Sequence, residues 1–133
     1  ADGIWNNVRK PNEIVARIRM PLPTKSTRTA FMKMRERKSI DFSLLSMALA
    51  VDMDGNAVRS CKLVVTALGS RPRDVTGLEK VVGKKLSEEV IDAVADRAYQ
   101  QCHPLENIIV DPDWRRAMIP VYVRRAFQGI RSG

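Results

Sequence analysis

The run Ala48-Leu49-Ala50-Val51-Asp52-Met53-Asp54-Gly55-Asn56-Ala57-Val58-Arg59-Ser60-Cys61-Lys62-Leu63-Val64-Val65-Thr66-Ala67-Leu68 decides the fold class. Its two apolar stretches, 48 to 53 and 57 to 68, are separated by Asp54-Gly55-Asn56, a triplet that reverses a chain because glycine accepts positive φ without steric cost. Two antiparallel strands follow from it. Upstream, residues 28 to 37 place Ala30, Met32 and Met34 on one face and Phe31, Lys33, Arg35 and Arg37 on the other, the period of two of a strand with a basic outer side. Residues 13 to 20, rich in branched side chains, read as a further strand stopped by Pro21 and Pro23. Asp41 to Met47 opens on a good N-cap residue and reads as a short helical turn.

Downstream the periodicity changes. The chain turns around Gly69-Ser70-Arg71-Pro72-Arg73, and Gly77 to Gly83 suits one or two helical turns. Ser87 is a candidate N-cap for a helix over 88 to 102, where Val90, Ile91, Val94, Ala95 and Ala98 recur at three and four. A last helix starts with Asp111 as N-cap and Pro112 in its first turn, turning Trp114, Met118, Val121 and Phe127 to the core. Pro120 inside it is expected to kink the helix or to begin a separate turn. Strands first and helices last make an α+β architecture: an antiparallel sheet of three to four strands packed on one face against about three helices.

Composition narrows the function. The chain has 133 residues, 44% of them apolar, with 23 Lys plus Arg against 15 Asp plus Glu, which suits one hydrophobic core and excludes a disulfide miniprotein or a multidomain enzyme. No apolar run approaches the roughly 18 residues of a membrane span. With Ala1 first and no leader pattern after it, the expectation is a soluble cytoplasmic domain, a fragment or processed product. Residues 1 to 40 carry ten Lys or Arg and three Asp or Glu, so positive potential gathers at one end and draws phosphates or acidic partners. Cys61 and Cys102 lie far apart and outside any CxxC pairing, as reduced thiols do. His103, between Cys102 and Pro104, marks a helix end. No Ser/His/Asp or Cys/His set, metal cluster or phosphate-cradling glycine loop assembles from these residues.

A series of short motifs carries a resemblance. Glu13-Ile14-Val15-Ala16-Arg17-Ile18-Arg19-Met20-Pro21 is followed by Lys33, Arg37-Lys38 and Asp41-Phe42, then Asp54-Gly55, Leu68-Gly69 with Pro72-Arg73, and Leu78-Glu79 with Val82-Gly83-Lys84. Trp114-Arg115-Arg116-Ala117-Met118 and Val123-Arg124-Arg125-Ala126 close the series. In this order they resemble the C-terminal domain of the FAD-binding medium subunit of molybdenum hydroxylases, the family of carbon monoxide dehydrogenase, xanthine dehydrogenase and 4-hydroxybenzoyl-CoA reductase. The chain departs from the pattern at Ser43, at the single Gly69, at Trp114 and at Pro120.

The resemblance implies an accessory domain, not catalytic by itself, that helps enclose FAD as it relays electrons from molybdenum and iron–sulfur centres to an external acceptor. Residues 1–12 are then a linker from a preceding FAD-binding domain, and 13–133 the C-terminal domain. FAD is held mainly by the preceding domains; a molybdenum cofactor and 2Fe–2S clusters belong to a large and a small partner subunit. Neither a membrane nor nucleic acid is an expected partner. Residue by residue, it puts Val15 at an apolar contact to the flavin and Lys33 beside the isoalloxazine ring, where a fixed ammonium favours the reduced, negatively charged state. Asp41 falls in the same motif and pairs with Arg37 to hold the strand end. Arg124 and Arg125 face a partner subunit or solvent. The alternative is a standalone basic module using residues 9 to 38 on nucleic acid or an acidic protein, whose binding would weaken steeply with salt.

Overall fold

The computed structural model describes residues 7–106 and 110–131. The hairpin forms where the turn triplet puts it: strand β2 runs Leu45–Asp54 and β3 runs Ala57–Thr66, with Gly55 between them at φ +57°, a left-handed backbone that glycine adopts without a Cβ clash. Strand β1, Thr27–Met34, pairs antiparallel with β2, so that Phe31 faces Ala48 and Lys33 faces Ser46. A two-residue edge strand, β4 (Arg73–Asp74), completes a four-stranded antiparallel sheet in the order β1-β2-β3-β4.

Alternation makes the sheet two-sided. Met34, Met47, Leu49, Val51, Leu63 and Val65 point into the core, while Phe31, Lys33, Ala48 and Lys62 are exposed on the other side. The inner face is covered by helix α1, Glu88–Gln101, and helix α2, Pro112–Arg131, with a 3-10 turn at Leu78–Val81 beside β3. Val94, Ala95 and Ala98 of α1 and Ile119, Val123, Ala126 and Phe127 of α2 fill the space between the layers. The architecture is α+β as expected, with two α-helices and one 3-10 turn among the described residues in place of about three helices.

Several expectations are corrected. Residues 13–20 form no strand: none of them joins the ladder, and Ile14, Ile18 and Met20 are exposed. Period-two alternation marks a shared face, but a strand exists only through its hydrogen-bonded neighbour, and this stretch, flanked by Pro11, Pro21 and Pro23, has none. The expected linker over 1–12 lies partly outside the described residues.

Asp41–Met47 is not a helical turn either. Leu45 and Met47 are buried rungs of β2, and the Asp41 carboxylate accepts the amide of Arg37, four residues before it, rather than an amide ahead. Ser87 sits at the N-cap of α1 without a capping bond, its hydroxyl donating to Glu89 Oε2 at 3.1 Å. Asp111 does cap α2, accepting the Trp114 amide at 2.6 Å, but the buried side of that helix is rotated from expectation. Phe127 is buried as read, whereas Trp114 is 46% exposed and Met118 and Val121 are half-buried. The helix runs unbroken through Pro120.

At the N-terminal end of that buried face stands Arg115, fully buried. Its Nε donates to Leu44 O at 3.0 Å, its Nη1 to Leu105 O at 3.1 Å and its Nη2 to Ala67 O. Burial pushes the guanidinium below its ordinary pKa, but arginine keeps its charge in proteins. Replacing Arg115 by Met strands buried carbonyls at 1–3 kcal/mol each, so urea denaturation is expected to show a loss of about 3 kcal/mol or more. Arg115→Lys recovers less than half of it, since a single ammonium does not span three separate carbonyls.

Candidate functional site

The three residues singled out for the flavin contact fall in two places. Lys33 and Asp41 meet where β1 ends and β2 is about to begin. Lys33, on the open side of the sheet, donates from Nζ to Asp41 O at 3.2 Å. The connecting loop is closed by Asp41 itself: one carboxylate oxygen accepts the Arg37 amide at 2.8 Å and the other lies 3.7 Å from Arg37 Nη2. The same guanidinium donates to Ile40 O at 2.9 Å. The loop is thus pinned from its first residues to its last, and Ile40 is held at φ +44°, a conformation rare for a β-branched residue.

The expected pairing of Arg37 with Asp41 is observed. The Arg37 amide holds the Asp41 carboxyl below its ordinary value of 3.8; burial opposes that, and the Arg37 charge and the amides of Glu36 and Phe42 add to it. The Asp41 side chain is only 12% exposed against 71% for Arg37, so the carboxylate is the buttress and the guanidinium the outer clasp.

Val15 belongs to the irregular segment before β1 and is 73% exposed. Arg124 pairs with Asp92 at 2.8 Å, and Arg125 lies over the Tyr122 ring. His103 is exposed at the end of α1, as read, with Nε2 3.1 Å from Gln100 O. Cys61 and Cys102 are free thiols; burial pushes Cys61 up to about 11 and raises Cys102 as well, which keeps both protonated and unreactive. Among the described residues, no group of three His, Cys, Asp or Glu is placed to hold a metal, and no helix is long and apolar enough to cross a membrane.

Around Lys33 the sheet presents a low surface. On the open side the register sets Phe31 beside Ala48 and Ala48 beside Val64, and in the next row Thr29 beside Ala50 and Ala50 beside Lys62. The middle strand carries small side chains there, so a planar group or another backbone can approach closely, with an aromatic ring 68% exposed at one side and an ammonium at the end. The basic charge of residues 9 to 38 is divided among an irregular segment, β1 and the loop after it, and Arg28 is partly spent on Ile130 O at 3.3 Å; no single structured basic face results.

Sequence reading missed two features. The alanines of β2 were legible only as alternation, and Arg115 was passed over because a charged residue is a poor core candidate, although it stands in step with Ile119, Val123 and Ile130. That spacing was the available signal.

The family model described as CO dehydrogenase flavoprotein C-terminal domain matches residues 29–130. The chain is 29% identical over 125 residues to the carbon monoxide dehydrogenase medium chain of Hydrogenophaga pseudoflava, covering 93% of this chain and 43% of that one. It is 28% identical over 119 residues to the glyceraldehyde dehydrogenase medium chain of Sulfolobus acidocaldarius, covering 89% and 42% respectively. It thus spans less than half the length of these relatives. The solved structure of the Hydrogenophaga pseudoflava carbon monoxide dehydrogenase lacking the Mo-pyranopterin moiety superposes with a TM-score of 0.75 at 26% identity, over 84% of this chain and 39% of that one.

The depressed Asp41 value sets a pH dependence. A carboxylate lowered by folding contributes stability that is whole above its unfolded value and lost as pH falls through the folded one. The stability difference between the wild type and Asp41→Asn, read from urea midpoints, is therefore expected to hold from neutral pH down to the ordinary value of 3.8 and to close below it.

Proposed function

The chain belongs to the CO dehydrogenase flavoprotein C-terminal domain family, and on that premise we propose that it is the accessory domain of a cytoplasmic molybdenum hydroxylase, closing over FAD held mainly by preceding domains of the medium subunit. Residues 1–12 are the linker from those domains and 13–133 the domain itself. A large subunit with the molybdenum cofactor and a small subunit with 2Fe–2S clusters are the partners, and FAD, when bound, passes electrons from them to an external acceptor.

The observation that carries this reading is the open sheet face with Lys33 at its end. FAD fits there as a covered ligand, not a wholly enclosed one: the described residues offer a placed charge and a low apolar surface, and no glycine loop for a pyrophosphate. The tether to Asp41 O limits the freedom of the Lys33 ammonium, and its field strengthens once a neighbouring domain excludes water. Asp41 acts through its carbonyl and through the loop that it holds with Arg37. Val15 supplies an apolar contact from the exposed segment before β1. Phe31, Ala48 and Ala50 exclude water from the covered side.

The test is the visible flavin spectrum of the full-length medium subunit, wild type and Lys33→Ala, beside this chain alone mixed with FAD. The full-length protein is expected to carry flavin and this chain to retain none through gel filtration. Lys33→Ala weakens flavin retention by roughly tenfold, the scale of one charge-assisted contact of about 1.5 kcal/mol. A full-length subunit without flavin overturns the reading; one whose flavin ignores the lysine removes Lys33 from the site.

A further inference from the structure

A pocket of about 260 Å³ opens where β3 leaves the sheet and α1 ends. Its inner side includes the buried Leu68 and Cys102, and Ser70, Arg71, Arg73 and His103 line it as well. Among the described residues that line it none is acidic, and two arginines, a serine and a histidine share its surface.

The walls are held in place. Leu105 N donates to Leu68 O at 2.9 Å and ties the segment after α1 to the end of β3. Behind them the buried Arg115 binds Leu105 O and Ala67 O together. The His103 ring is oriented by its contact with Gln100 O. The charge of Arg73 reaches the inner side, since it opposes the rise that burial imposes on the Cys102 thiol. A pocket whose walls are fixed before binding spends little on ordering them, and arginine forks match the paired oxygens of phosphate and carboxylate.

We propose that this pocket binds a small oxyanion, the phosphate or carboxylate group of a compact ligand, with Arg73 as its charged donor and Ser70 as a neutral one. The apolar inner side takes the body that carries the group. The inference does not use the flavin reading, and a subunit without flavin leaves it standing.

The chain has a single histidine, so the ring-proton resonance of His103 reports on this pocket and nothing else. The experiment titrates the chain with inorganic phosphate and, separately, with benzoate, at fixed pH and at ionic strength held constant with chloride. Each wild-type titration is compared with Arg73→Gln, at an exposed edge-strand position, and with Lys62→Gln on the open sheet face as a control. At least one probe is expected to shift the resonance saturably, Arg73→Gln to weaken that binding fivefold or more, and Lys62→Gln to leave it unchanged. Tighter phosphate identifies a phosphate group as the natural ligand chemistry, and tighter benzoate a carboxylate on an apolar body. No saturable shift with either probe, no loss with Arg73→Gln, or an equal loss with Lys62→Gln overturns the proposal.

Discussion

One buried guanidinium holds three separate stretches of the chain together. Arg115 sits in the first turn of α2, fully out of water, and reaches the carbonyls of Leu44, Ala67 and Leu105. These are the entrance to β2, the exit from β3 and the segment after α1. Moving a charge out of water is expensive unless its donors are met, and a planar fork with five N–H groups meets several carbonyls where a lysine meets one direction only. The two layers of the fold would pack through Val123 and Phe127 without it, but the loops at this end would have no common anchor.

The consequence is a division of labour across the sheet. The inner face is committed to the core, and the loops at one end are drawn onto α2 through Arg115. On the other face nothing within the described chain covers Phe31, Ala48 and Lys33. An apolar and basic surface of this kind, in a chain whose segment before β1 also exposes Ile14, Ile18 and Met20, is of the sort that protein contacts use. The Arg37–Asp41 clasp then acts on the loop whose Asp41 carbonyl receives the Lys33 ammonium, so charge and position at that corner are linked through one residue.

The hairpin, the β1 alternation and both helices were legible because their signals are local: a glycine that must take positive φ, a period of two, a capping aspartate before a proline. The reading failed where an element depends on a distant partner. Residues 13–20 have strand composition and no strand to pair with. Leu45 and Met47 look helical beside Asp41, yet the ladder with β1 claims them. The site was half legible for the same reason: Lys33 and Asp41 were picked as a motif, and the contact between them at 3.2 Å rests on a loop that turns back through Ile40.

The sequence alone determined the α+β class, the hairpin and the family resemblance, since these rest on periodicity and on residue types whose backbone preferences act over a few positions. Only the tertiary structure decided which side of α2 is buried, that its key residue is an arginine, and that the thirteenth to twentieth residues stay outside the sheet. Burial and pairing are properties of two surfaces meeting, and a single stretch of chain carries the description of only one of them.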